Sequence, residues 1–261
     1  MTWAFNLSLA GYLTALLFSA ANLFSKKGRF ASIATVFLSA GALAQTTYMI
    51  LRWLAAGRAP FSNMFESMVL FAWTIVVVYL ALQVRREIPV LGAATALLAV
   101  LTLAYASTFG TKIQPLMPAL RSNWLTVHVF TCFLGYGGFA IAALSSIGYL
   151  VTPKSRPQIE VAFDTATAKT ISFGFLFLTA GIITGAVWAN SAWGTYWSWD
   201  PKETWSLITW FIYAVYLHCR FMRGWKGKRA AWISVIGFAS VIFTYYGVNV
   251  LLGGLHSYAT S

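Results

Sequence analysis

Three histidines and one run of tryptophans are the residues whose types and spacing could do chemistry in this sequence. The run, from Trp188 to Trp210, reads W-A-N-S-A-W-G-T-Y-W-S-W-D-P-K-E-T-W-S-L-I-T-W and holds six of the chain's 12 Trp. An aromatic, amphipathic segment of this kind suits a membrane–water interface. Its density also suits a platform for a large flat ligand, with Trp193, Trp197, Trp199 and Trp205 as the candidate faces and Asp200 among them. Neutral imidazoles are metal ligands, and two of them flanking an aromatic platform are what bis-His axial ligation of a haem iron requires. His128 and His256 are the candidates for that pair, and His218 is a candidate ligand of a second, cytoplasmic-side site for which this chain offers no partner histidine. Taken alone, each histidine also reads as a hydrogen-bonded structural residue, and the tryptophans as an interfacial belt.

These residues must be positioned by membrane helices. Of 261 residues, 59% are hydrophobic and 9% charged, against about 25% charged in soluble domains. Spans need about 20 apolar residues each, so the length holds about eight and no sizeable soluble domain. The expected class is an all-α, polytopic integral membrane bundle, a single domain over 1–261. Apolar runs predict spans at about 3–24, 31–54, 64–83, 89–106, 123–151, 170–189, 201–222 and 231–252. The polar stretch from Pro153 to Lys169 reads as a loop, and no signal pattern precedes the first span.

Net charge of +12 would suggest nucleic acid in a soluble protein, and here it sorts by side instead. The loops after the odd-numbered spans hold 13 of the 18 Lys and Arg, leaving Arg52, Arg58, Lys112, Arg121 and Lys202 for the other side. The positive-inside rule puts the first set in the cytoplasm or its equivalent. Both termini, the Trp-rich segment, His128 and His256 then lie on the outer side, with His218 near the inner end of span seven.

Span seven opens on a cap: Asp200 at the N-cap, Pro201 at the first helical position and Glu203 at the third. Lys202, Arg121, Arg58 and Arg52 are outer-side cations that could meet a ligand carboxylate. Glu66, at the start of span three beside Asn63, is costly unless paired, and Arg52 or Arg58 can pair it. Cys132 and Cys219 have no metal or redox spacing and read as small core residues.

W-G-T-Y-W-S-W-D-P-K-E-T-W, residues 193–205, resembles the signature of the WWD superfamily of haem-handling membrane proteins. S-L-I-T-W-F-I-Y-A-V-Y-L-H-C-R (206–220), L-G-G-L-H-S-Y (252–258) and P-F-S-N-M-F-E-S (60–67) resemble its CcsA (ResC) branch, the membrane subunit of the System II cytochrome c synthase. The resemblance implies cytochrome c biogenesis: haem b presented at the outer face for thioether attachment to C-x-x-C-H of apocytochrome c, a haem lyase activity. It implies His128 and His256 as external axial ligands. It also implies His218 as an embedded ligand whose counterpart sits on a CcsB (ResB) partner, in a bacterial cytoplasmic or thylakoid membrane. The alternative is a haem chaperone or transporter of the CcmC type without ligation activity, for which six spans would be expected. Nucleic acid is not an expected partner.

Overall fold

The computed structural model describes residues 1–25, 29–81, 88–116 and 120–252. His256 lies outside the described residues, as do most of the tail motif around it and the basic residues Lys26, Lys27, Arg85 and Arg86. No strand occurs among the described residues. Eight long helices follow one another: α1 Thr2–Phe24, α2 Arg29–Ala56, α3 Met64–Ala81, α4 Pro89–Ala106, α5 Asn123–Val151, α6 Pro157–Trp193, α7 Pro201–Met222 and α8 Lys228–Ile242. A π-helical turn, Phe243–Gly247, and an α turn, Val248–Leu251, follow among the described residues.

Among the described residues, seven segments are long and apolar enough to cross a membrane: α1 to α6, and α8 with its continuation to Leu251. The chain is therefore an all-helical, multi-pass membrane protein. α7 has 22 residues and the length, but not the composition, of the other seven. Thr209, Tyr213 and Tyr216 lie on one buried face, where neighbouring helices rather than lipid receive them.

The expected loop from Pro153 to Lys169 is corrected. Only a short connection at 152–156 separates α5 from α6, and Pro157 onward is helical. Pro157 takes the first helical position, which needs no N–H, and Glu160 sits in the first turn against the helix dipole. At 1.5 Å per residue, the 37-residue α6 is about 55 Å long, against a hydrocarbon layer of about 30 Å. Its first turns carry the polar residues beyond the apolar run.

The helices group into two compact units, Met1–Gln114 and Pro115–Ser261. In the first, Gln45 ties three helices: Tyr12 Oη donates to its Oε1 at 2.5 Å, and its Nε2 donates to Val69 O at 2.7 Å. In the second, α5 and α6 pair along small residues. A Cβ at Gly138 would lie 3.0 Å from Gly174 Cα, so these backbones approach as closely as glycine permits, the usual membrane device for packing helices.

Candidate functional site

His128 sits one turn into α5 and is half-buried. Its Nδ1 lies 2.7 Å from Gly181 O of α6. A carbonyl only accepts, so Nδ1 carries the proton, and Nε2 is the nitrogen with the lone pair. The ring stacks on buried Trp188 with centroids 6.2 Å apart and planes 15° apart. Trp188 in turn meets Trp193 edge-on at 4.7 Å. Cys132 Sγ lies 3.7 Å from His128 Nδ1 and is buried. Gly185 makes room for the ring: a Cβ there would fall 2.5 Å from Nδ1. Gly181, Gly185 and Trp188 recur at helical spacing on one face of α6, so that face is shaped to the imidazole. The sequence reading gave none of the three a site role. The small–small–Trp spacing was the signal that could have found them.

The Trp-rich segment is a helix–loop–helix. Trp188 and Trp193 end α6, and Gly194, with φ 79°, turns the chain out of it. Six residues later Asp200 caps α7. The expected capping box is present: the Lys202 N–H donates to Asp200 Oδ1 at 2.9 Å, and the Asp200 N–H donates to Glu203 Oε2 at 3.2 Å. The Ser198 N–H also donates to Glu203 Oε2, at 2.7 Å. Trp199, held between these bonds, has φ 60°, a left-handed conformation unusual for a bulky residue. It leaves the ring 68% exposed, edge-on to Trp197 at 5.8 Å. Trp205, half-buried in the first turns of α7, packs on Phe243 of the π-helical turn at 4.2 Å. Trp210 is an anchor instead, with Nε1 donating to Thr179 Oγ1 at 2.9 Å and its ring on Phe175.

The structure thus joins His128 to Trp193 through Trp188, and pairs Trp197 with Trp199. His218 is 13 residues beyond Trp205 on α7, about 20 Å along the axis. It is exposed, on a face with Phe211 and Val215, which are 55% and 52% exposed. It belongs to a different level and surface from His128.

Of the four cations that the sequence offers for a ligand carboxylate, two are already paired. Arg52 Nη2 and Arg58 Nη1 each lie 2.9 Å from a Glu66 carboxylate oxygen. Their other nitrogens donate to Thr111 O and Gln114 O. The pairing of Glu66 is as expected, with both arginines taking part. Arg121 is exposed and Lys202 half-buried.

Comparison with known proteins agrees with this architecture. The Cytochrome C assembly protein family matches residues 61–256. The cytochrome c biogenesis protein CcsA of Synechococcus sp. (strain CC9605) is 37% identical over 264 residues, covering 87% of this chain and 87% of that protein. The CcsA of Chlamydomonas reinhardtii is 40% identical over 242 residues, covering 87% of this chain and 68% of that protein. Among solved structures, the cytochrome c haem lyase CcmF superposes with a TM-score of 0.68 at 20% identity, over 94% of this chain and 46% of CcmF. That likeness is one of fold. With three quarters of its length inside the family match and CcsA proteins aligned along most of it, the chain belongs to the cytochrome c assembly protein family.

Proposed function

We propose that this protein acts in cytochrome c biogenesis as a haem lyase subunit. It holds haem b at the outer membrane face between His128 and His256 and against the Trp-rich segment 188–210, within one haem-handling domain. The observation that carries this reading is the orientation of His128. With Nδ1–H given to Gly181 O at 2.7 Å, Nε2 is the ligating nitrogen, and metal-bound histidines are ordinarily held by such a second bond. Trp188 beneath the ring and Gly185 beside it fix its plane. Trp193, Trp197, Trp199 and Trp205 supply aromatic faces to the macrocycle, and Asp200 sets the loop that carries them.

Haem brings the reactive vinyl groups, to which the two thiols of a C-x-x-C-H segment of apocytochrome c add as thioethers. This chain needs no nucleophile of its own. Its part is to hold the substrate so that vinyl and thiol meet in one geometry, and to set the iron through its axial nitrogens. His218 is exposed on an apolar helix face, an expensive place for an ionisable ring in lipid. It fits a ligand shared with a second membrane subunit of the CcsB (ResB) type. The positive-inside charge distribution supports a periplasmic or lumenal position for segment 188–210 and both termini.

Co-expression with such a partner and a reporter c-type cytochrome, in a host without its own maturation system, tests this. His128→Ala and His256→Ala are each expected to cut covalent haem staining of the reporter by at least about tenfold, the scale seen even for ligand-orienting partners. Full staining in both variants would remove the axial assignment.

A further inference from the structure

α7 carries its polar residues in a line. Thr209, Tyr213, Tyr216 and Arg220 recur at i, i+4, i+7 and i+11, one face of a helix. That face meets α8 and the π-helical turn after it in a regular antiparallel register. Thr209 Oγ1 lies 2.7 Å from Ser240 Oγ and 3.2 Å from Thr244 Oγ1. One turn further along α7, a Cβ at Gly237 would fall 2.7 Å from Tyr213 Cζ, the carbon that bears the hydroxyl. The same register brings Ser234 level with Tyr216. At the end of the line Arg220 pairs with Asp164 of α6 at 2.7 Å, and Tyr216 lies within electrostatic reach of both.

Tyr213, Tyr216 and Ser234 are 0%, 1% and 0% exposed. Among the described residues none of their hydroxyls has a protein hydrogen-bond partner. A hydroxyl buried without a bond is destabilising, and each one calls for an explanation. Here the three fall on one seam, between a hydroxyl cluster and an ion pair. Internal water occupies sites that offer two to four polar partners.

We propose that the α7–α8 seam binds a file of ordered water molecules. They bridge the Tyr213, Tyr216 and Ser234 hydroxyls and link the Asp164–Arg220 pair to the Thr209–Ser240–Thr244 cluster. From Arg220 to Thr209 the file runs about 16 Å. It ends at Thr209, whose hydroxyl donates to Trp205 O at 2.8 Å, in the last turns of the Trp-rich segment. A hydrated seam also accounts for a helix with α7's composition among seven apolar ones. The inference does not depend on haem binding.

Synchrotron hydroxyl-radical footprinting of the full chain in nanodiscs tests it, because radiolysis of bound water oxidises the side chains beside it. Tyr213 and Tyr216 are expected to be modified at a rate approaching that of exposed Tyr196. Tyr12, equally buried but bonded to Gln45, should stay unmodified. Footprinting decides: protection of Tyr213 and Tyr216 equal to that of Tyr12 overturns the proposal. Tyr213→Phe and Tyr216→Phe give an independent sign. A wet seam loses a hydrogen bond in each, and the thermal midpoint falls by a few degrees. A dry seam loses an orphan hydroxyl, and the midpoint holds or rises, which contradicts the proposal.

Discussion

At the start of α3, the Glu66 N–H donates to Asn63 Oδ1 at 2.8 Å, while Glu66 Oε2 takes the Ser62 N–H at 3.0 Å. At the start of α7, the Lys202 N–H donates to Asp200 Oδ1, while Glu203 takes the N–H groups of Ser198 and Asp200. Both are reciprocal caps with a glutamate at the third helical position. They differ in what surrounds that glutamate. Glu66 is 1% exposed and gripped by Arg52 and Arg58, which also clasp the 111–114 backbone. Glu203 is half-buried, with no arginine on it among the described residues, and the loop it holds turns Trp199 outward. Closing a cap with charges yields a structural knot, whereas leaving it open yields a rigid stage for exposed rings.

The comparison can be broken from its strongest side first. Glu66→Gln leaves two buried guanidinium groups facing a neutral amide. We expect a loss of about 3–5 kcal/mol, the range for breaking a buried pair, seen as a large fall in thermal midpoint or in recovery of folded protein from detergent. A midpoint within a degree of the wild type would mean that the knot bears little of the first unit's stability. Gly185→Ala comes next. The added methyl falls on the His128 ring, and such overpacking costs about 1–3 kcal/mol. Haem retention should drop more than stability does, whereas equal losses would make Gly185 a packing residue only. Asp200→Ala should cost about 1 kcal/mol, as lost caps do, and loosen the 194–200 loop, raising proteolysis there. Glu203→Gln keeps an acceptor oxygen and should be the mildest, within about 0.5 kcal/mol of the wild type, as for most surface changes. A loss on the scale of Glu66→Gln would show that the α7 cap is no more open than the α3 one.

What could be read from sequence followed from how local each signal is. Apolar runs of span length located the helices to within a few residues, except where α6 continues past its apolar part to Pro157. Hydropathy does not register a helix that leaves the membrane still helical. The Asp200 cap was legible because it is written in four consecutive residues. The pairing of Glu66 was legible because a carboxylate at that depth needs a cation, although chain order could not say that both arginines serve it. The π-helical turn at Phe243–Gly247 was not legible, since it adds one residue to a turn without disturbing the apolar pattern. Nor was the partner of His128: a backbone carbonyl such as Gly181 O leaves no side-chain trace, and only the pairing of α5 with α6 brings it to the imidazole. The unpartnered hydroxyls of α7 belong to the same class, visible only once α8 is set against them.

The central claim is that His128 presents Nε2 to haem iron. The most direct measurement is the optical spectrum of the detergent-purified chain, with the proposed CcsB-type partner and added haem, for the wild type and His128→Ala, each with and without free imidazole. A low-spin six-coordinate spectrum in the wild type, lost in His128→Ala and restored by imidazole entering the vacated position, is the predicted result. The same low-spin spectrum in both proteins would contradict the assignment and make His128 a structural link between α5 and α6.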